Sequence, residues 1–295
     1  MMRRGSPRPV VVGVDGSDAA LAAARVALDE ARRRTAPLLI VTVVRWPYDG
    51  LAMPPPGIDL PALLRESGQA VVERALAVLP DSAGADVSTS VVNGHPVEVL
   101  RAASEDARLL VLGSRGVGGV AGLLLGSTAS RVVPHAGCPV IVLSDDADVL
   151  VRDRRSVVVG VEGRQGDEEV LAFAVDEAAA RGTDLLAVHA WQEVVLDTSL
   201  RTVSPLADWA GVVADEERAL SEALAGWRDK EPDLVVREAV VRDRTARALV
   251  AASMTAQLLV VGHRAHRVPG STTHSVLNRA TCPVAVVPVA TGADR

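Results

Sequence analysis

The chain has 295 residues, 48% of them apolar, and a formal net charge of −6. That length and apolar share supply two ordinary domain cores, and the acidic balance argues against general nucleic-acid binding. No apolar run is long enough to span a bilayer, and the stretch after Met1-Met-Arg-Arg4 is too short for a signal-peptide core, so the expectation is a cytoplasmic protein. Aromatic residues make up only 2% of the chain, which leaves Val, Leu and Ala to fill the cores. Lys230 is the only lysine.

In chain order, the first half alternates short apolar strands with helical stripes. Strands are predicted near 9–14, 38–44, 86–92, 108–113 and 139–143, and helices near 18–35, 61–80, 95–107 and 127–136. The first helix carries Leu21, Ala24, Leu28 and Ala31 on one face, with Arg32-Arg-Arg34 at its C-terminal end. This alternation implies parallel strands with helices on both faces. After the strand Leu109-Leu-Val-Leu112 comes a glycine loop, Gly113-x2-Gly116-x9-Gly126-Ser127, running into a helix start at Thr128. Glycines let backbone N–H groups close around an anion, so the loop reads as a phosphate site without a lysine. Neither G-x4-G-K-[ST] nor G-x-G-x-x-G at the first strand occurs.

Three separated segments carry a family resemblance. They are Val10-Val-Val-Gly-Val-Asp15-Gly-Ser17, Val91-Val-Asn-Gly94-His-Pro96, and the loop with its sequel Gly126-Ser-Thr-Ala-Ser-Arg-Val-Val-Pro-His-Ala-Gly-Cys138-Pro-Val-Ile-Val-Leu143. Together the chain resembles the universal stress proteins of the ATP-binding branch. The resemblance implies bound ATP, with Mg²⁺ as a counter-ion, and contact of Val43 with adenine through its backbone. In a sheet of order 3-2-1-4-5, strands 1 and 4 lie side by side, and ligands bind beyond their carboxyl ends. The candidate nucleotide-binding residues are Gly13, Asp15, Val43, Leu112, Gly113, Arg115, Gly116, Gly126, Ser127 and Thr128. Asp15 either accepts hydrogen bonds from adenosine or is a turn and capping aspartate. Ser17 and Asp18 read as caps, and Asn93 and His95 as turn residues.

The unit is repeated about 147 residues on. Val10-Val-Val-Gly-Val-Asp15 aligns with Val157-Val-Val-Gly-Val-Glu162, Leu28-Asp-Glu-Ala31 with Val175-Asp-Glu-Ala178, and Cys138-Pro-Val with Cys282-Pro-Val. The expectation is two tandem doubly wound α/β domains, each a five-stranded parallel sheet, at 1–145 and 157–290 with a linker at 146–156. The family pairs domains through the last strand, which implies an intramolecular pseudo-dimer and leaves association of two chains open. The two cysteines, one per domain, read as buried packing rather than a metal or redox pair.

Copy two departs from the motif. Glu162 replaces Asp15, Arg164 replaces Ser17, and the loop Gly262–Ser271 is five residues shorter, with Ala265 at the second glycine and Pro269 lacking an N–H. Its His263, Arg264, His266 and Arg267 either attract an anion or form a solvated turn. The sequence thus points to an ATP-binding regulatory or stress-response protein with one nucleotide site and an unidentified protein partner. The alternatives are a slow ATPase or nucleotidyl transferase, and a nucleotide-independent scaffold.

Overall fold

A computed structural model describes residues 7–45, 59–80, 84–117, 125–143, 156–163, 167–192, 209–264 and 271–289. The first half contains β1 (Val10–Val14), α1 (Asp18–Arg33), β2 (Leu38–Val44), α2 (Leu60–Ala77), β3 (Val87–Asn93), α3 (Pro96–Glu105), β4 (Leu109–Gly113), α4 (Ser127–Val132) and β5 (Val140–Leu143). The second contains β6 (Ser156–Gly160), α5 (Asp167–Arg181), β7 (Asp184–Trp191), α6 (Trp209–Lys230), β8 (Val236–Arg242), α7 (Thr245–Ser253), β9 (Ala256–Arg264), α8 (Ser271–Arg279) and β10 (Val284–Val289). The predicted linker lies outside the described residues up to position 155.

The two halves share one ten-stranded sheet of order β3-β2-β1-β4-β5-β10-β9-β6-β7-β8. Each half keeps the expected parallel order. The difference from two separate sheets lies at the centre, where β5 and β10 pair antiparallel, Val140 opposite Val286 and Val142 opposite Val284. An apolar edge strand must be paired or covered, and here the two last strands cover each other. All four residues of β5 are buried. Because the sheet is continuous, each of its faces carries a core that crosses the domain boundary. One core packs under α1, α2, α5 and α6, the other under α3, α4, α7 and α8.

The helix predicted over 127–136 is shorter. α4 ends at Val132, and a 3-10 turn follows at Val133–His135. Pro134 has no N–H to continue the ladder. At the C-terminal end of α1, Thr35 takes the left-handed conformation (φ +49°) that its repeat counterpart Gly182 (φ +61°) adopts without a β-carbon penalty.

On the face that carries α1 and α5, four charged residues close across the domain boundary. Glu30 of α1 and Arg34, which caps its C-terminus, are the repeat counterparts of Glu177 and Arg181 of α5. Arg34 bonds both Glu30 and Glu177. Arg181 reciprocates, 2.6 Å from Glu30 and 2.9 Å from Glu177. Arg33 adds a third cation to Glu30 at 2.6 Å. The carboxylates of Glu30 and Glu177 are 0% and 2% exposed. Burial alone would raise the Glu30 carboxyl, but the Arg181, Arg34 and Arg33 guanidiniums outweigh it and hold it below its ordinary 4.5. Burial alone would lower Arg34, and the Glu177 and Glu30 carboxylates reverse that.

Removing one partner from such a buried set leaves charge uncompensated. Glu30→Gln should lower stability to urea by about 3–5 kcal/mol. The pH dependence has a definite sign. A carboxyl held low in the folded chain contributes stability that is present above its ordinary 4.5 and is lost as pH falls through the lower folded value. Unfolding curves between pH 7 and pH 3 should therefore show a shallower acid decline in Glu30→Gln than in the wild type.

Candidate functional site

β1 and β4 are parallel neighbours in register, Val10 beside Leu109 and Val12 beside Val111. Their carboxyl ends open into a cleft of about 360 Å³. All ten residues singled out from the sequence line it: Gly13, Asp15, Val43, Leu112, Gly113, Arg115, Gly116, Gly126, Ser127 and Thr128. One wall is apolar. It consists of Val41 and Val43 on the same face of β2, Leu112 of β4, Leu125, and Pro96 and Leu100 from α3. The opposite wall is the start and end of the glycine loop. The middle of that loop, 118–124, lies outside the described residues. Val41, Pro96 and Leu100 are not among the ten. Val41 was accessible from the period of two along β2, and Leu100 from its i+4 relation to Pro96, but only after the elements were placed.

The three loop glycines are small for three different reasons. A β-carbon on Gly113 would lie 2.8 Å from the carbonyl carbon of Ala19, so this glycine lets β4 approach the α1 backbone. One on Gly126 would lie 3.0 Å from the Ser114 carbonyl oxygen, to which the Gly126 N–H donates at 2.6 Å. The Ser114 N–H in turn donates to Leu143 O at 2.8 Å, tying the loop to the end of β5. One on Gly116 would lie 2.3 Å from Asp15 Oδ2.

Asp15 already has partners within the chain. Its Oδ1 accepts the Ser17 N–H at 3.0 Å and the Ser17 hydroxyl at 2.6 Å, and its Oδ2 accepts the Val117 N–H at 2.9 Å. Ser17 is the N-cap of α1, accepting the Ala20 N–H at 3.3 Å. Asp18 stands one place further on, as the first residue of the helix. Behind the turn, Thr42 donates its hydroxyl to Val14 O at 2.5 Å.

Domain two builds the equivalent corner differently. Glu162 faces Arg264, 3.4 Å away. Its own N–H and that of Gly163 donate to Asp167, at 3.3 and 2.7 Å. His263 is buried, 6% exposed, so it is not part of a solvated turn. Arg164, Ala265, His266, Arg267, Pro269 and Gly270 lie outside the described residues. The counterpart of Thr42 is His189, whose Nδ1 lies 2.9 Å from Val161 O and whose Nε2 lies 2.9 Å from Glu216. Glu216 occupies the repeat position of Gly68. In domain one a β-carbon at Gly68 would strike the Val91 and Val44 side chains at 2.5 and 2.8 Å. A close helix–sheet contact in one domain is thus a His–Glu contact in the other.

Both cysteines are buried, and burial pushes the Cys138 thiol up to about 12. Among the described residues no three His, Cys, Asp or Glu side chains gather as metal ligands, and no helix is long and apolar enough to cross a membrane.

The universal stress protein family matches residues 7–144 and 153–288 in tandem. A universal stress protein of Mycobacterium tuberculosis is 39% identical over 293 residues, covering 94% of this chain and 96% of that protein. The chain belongs to the universal stress protein family. A second such protein of the same organism is 36% identical over 295 residues, covering 94% of this chain and 95% of that one. Among solved structures, a universal stress protein from Archaeoglobus fulgidus shares the fold over 95% of this chain and 98% of its own, with a TM-score of 0.69 at 19% identity.

Within this universal stress protein fold, Gly113 is a packing position. Gly113→Ala should cost about 1–3 kcal/mol in thermal or urea unfolding, because the added methyl meets α1 backbone and not a flexible side chain.

Proposed function

We propose that the first domain binds ATP and that the protein is a nucleotide-responsive regulator of a stress response in the cytoplasm. The observation that carries this reading is the composition of the cleft at the ends of β1 and β4. An apolar slot between Val43, Leu100 and Leu112 suits a purine, and a wall of glycine-loop backbone suits phosphates. Its volume lies within the range of small-molecule sites. In this reading Gly13, Val43 and Leu112 flank the base, and Gly113, Arg115, Gly116, Gly126, Ser127 and Thr128 form the phosphate side. The described residues offer Asp15 alone as a carboxylate in the cleft. A Mg²⁺ ion would therefore be carried chiefly by the phosphates, and the site fits it only as a companion of the nucleotide. α4 has six residues, which makes the loop backbone the main source of N–H donors. In domain two, Glu162 and Arg264 satisfy each other at the equivalent corner, which supports a single nucleotide site per chain.

Calorimetric titration with ATP should give about one tight site per chain. Two equal, independent sites would overturn the assignment of domain two as degenerate. Single-turnover phosphate release, measured beside it, separates binding from hydrolysis.

Gly126→Val should weaken ATP by more than about 100-fold, as expected for loss of two or three charge-assisted hydrogen bonds worth on the order of 3–6 kcal/mol. Adenosine should bind the wild type much more weakly than ATP and respond less to the substitution. Equal affinity of adenosine and ATP would remove the phosphate role of the loop.

A further inference from the structure

From the sequence, Asp15 is either a nucleoside ligand or a turn residue. The geometry gives it a third task. Its carboxylate stands between two segments that are about one hundred residues apart in sequence. Oδ1 is fixed by the backbone N–H and hydroxyl of Ser17 on the β1–α1 side. Oδ2 reaches the glycine loop and accepts the Val117 N–H at 2.9 Å. The Ser17 hydroxyl also lies 3.3 Å from the Arg115 carbonyl, so the same two side chains meet the loop twice. A carboxylate fixed from one side and bonded to a backbone amide on the other is a tie between them.

The smallness of Gly116 follows from that tie. A β-carbon there would sit 2.3 Å from Asp15 Oδ2, far inside van der Waals contact. The clash is with the tip of the Asp15 side chain, so a larger residue is admitted only if that carboxylate leaves its place between Ser17 and Val117, before any ligand enters. Domain two supplies the contrast. At the position of Gly116 the sequence has Ala265, and the counterpart of Asp15 is Glu162, paired with Arg264. Where the counterpart carboxylate pairs with an Arg side chain, the glycine position holds an alanine.

We propose that Asp15 is a positioning residue that braces the first turn of the glycine loop through the Val117 N–H, with Ser17 fixing its carboxylate, and that Gly116 is glycine to admit this brace. The consequence for ligand affinity rests on the nucleotide reading above; the brace itself does not. It holds the turn in place in the nucleotide-free chain, so that the cleft wall formed by residues 114–117 exists before binding. Preformed donors lose less conformational freedom when a ligand arrives.

The test is a double-mutant cycle on the full chain without nucleotide, read by residue-resolved amide hydrogen exchange at Val117. Asp15→Ala should accelerate that amide about 10- to 150-fold, the range expected for loss of a hydrogen bond to a charged group. Gly116→Ala alone should accelerate it comparably. In the Asp15→Ala background Gly116→Ala should add almost nothing, because the clashing carboxylate is already absent. Multiplicative effects of the two changes, or unchanged Val117 exchange in Asp15→Ala, would overturn the proposal. Should Gly116→Ala fail to fold by circular dichroism, Ser17→Ala replaces it. It removes the hydroxyl that fixes Oδ1, so Val117 exchange should rise, and in the Asp15→Ala background it should add almost nothing; unchanged Val117 exchange in Ser17→Ala, or multiplicative effects of the two changes, would overturn the brace. Because no nucleotide is present, failure here and failure of ATP to bind are separate results.

Discussion

The arrangement of the whole molecule depends on one boundary, where β5 meets β10 and Glu30, Arg34, Glu177 and Arg181 close over the joined sheet. The strand pairing supplies direction and apolar burial. The ion set supplies a condition that few other arrangements of the two domains could meet. Each carboxylate is nearly inaccessible to water, so separating the halves or sliding one past the other would strand charge in a low-dielectric region. Hydrophobic burial alone tolerates small shifts of register. A reciprocal set of four buried charges does not, because every Arg must reach both its own helix's Glu and the one across the boundary.

That boundary also explains why the two sites differ while the frame does not. The features shared by both domains lie at the interface or in the core. Glu30 and Arg34 match Glu177 and Arg181. Ser104 accepts the Gly137 N–H at 2.9 Å and donates to Arg101 O, and Ser253 does the same with Thr281, at 3.1 Å, and Val250 O. Leu100 packs against the flat backbone of Gly13 as Leu249 does against Gly160. The features that have diverged gather at the carboxyl ends of the strands. There Thr42 with Gly68 has become His189 with Glu216, and Asp15 with its loop has become Glu162 with Arg264. Even in divergence the exchange is paired, because Thr42 and His189 meet the carbonyls of repeat-equivalent residues, Val14 and Val161.

Much of this was legible in the sequence. The strands were readable because parallel strands buried on both faces are short apolar runs bounded by turns, and β1, β2 and β4 begin and end within a residue of expectation. The cleft residues of β1, β4 and the loop were readable because a strand-to-loop order and a fixed glycine spacing place them at the same end of the sheet, whereas Val43 came from the family resemblance. The ion set was not. Glu30 with Arg34 at i,i+4 reads as an ordinary solvated helix pair, and only the pairing of α1 with α5 across the boundary buries it. The reason for each glycine was equally hidden. Spacing identifies Gly113, Gly116 and Gly126 as one motif, whereas contacts with Ala19, Asp15 and the Ser114 carbonyl assign them three separate constraints. The shortened α4 was signalled by Pro134, which the helical pattern around it masked.

α1 connects the two kinds of constraint. Its N-terminal turn belongs to the cleft: Ser17 caps it and orients Asp15, Ala19 presses on Gly113, and Ala20 lines the cavity. Its C-terminal turn belongs to the interface through Glu30 and Arg34. Between the ends the helix is buried along Leu28 and along Ala23, Ala24, Ala27 and Ala31, whose small side chains seat it close to the sheet. A helix fixed by buried charge at one end and by close backbone contact at the other has little freedom to slide. The position of the Asp15 turn relative to β4 is therefore set partly by contacts made at the far end of α1, on the second domain. In α5 the interface end is the same, but its first turn meets the Glu162 and Gly163 amides through Asp167. One helix thus joins a boundary that the duplication has kept to the cleft of the first domain.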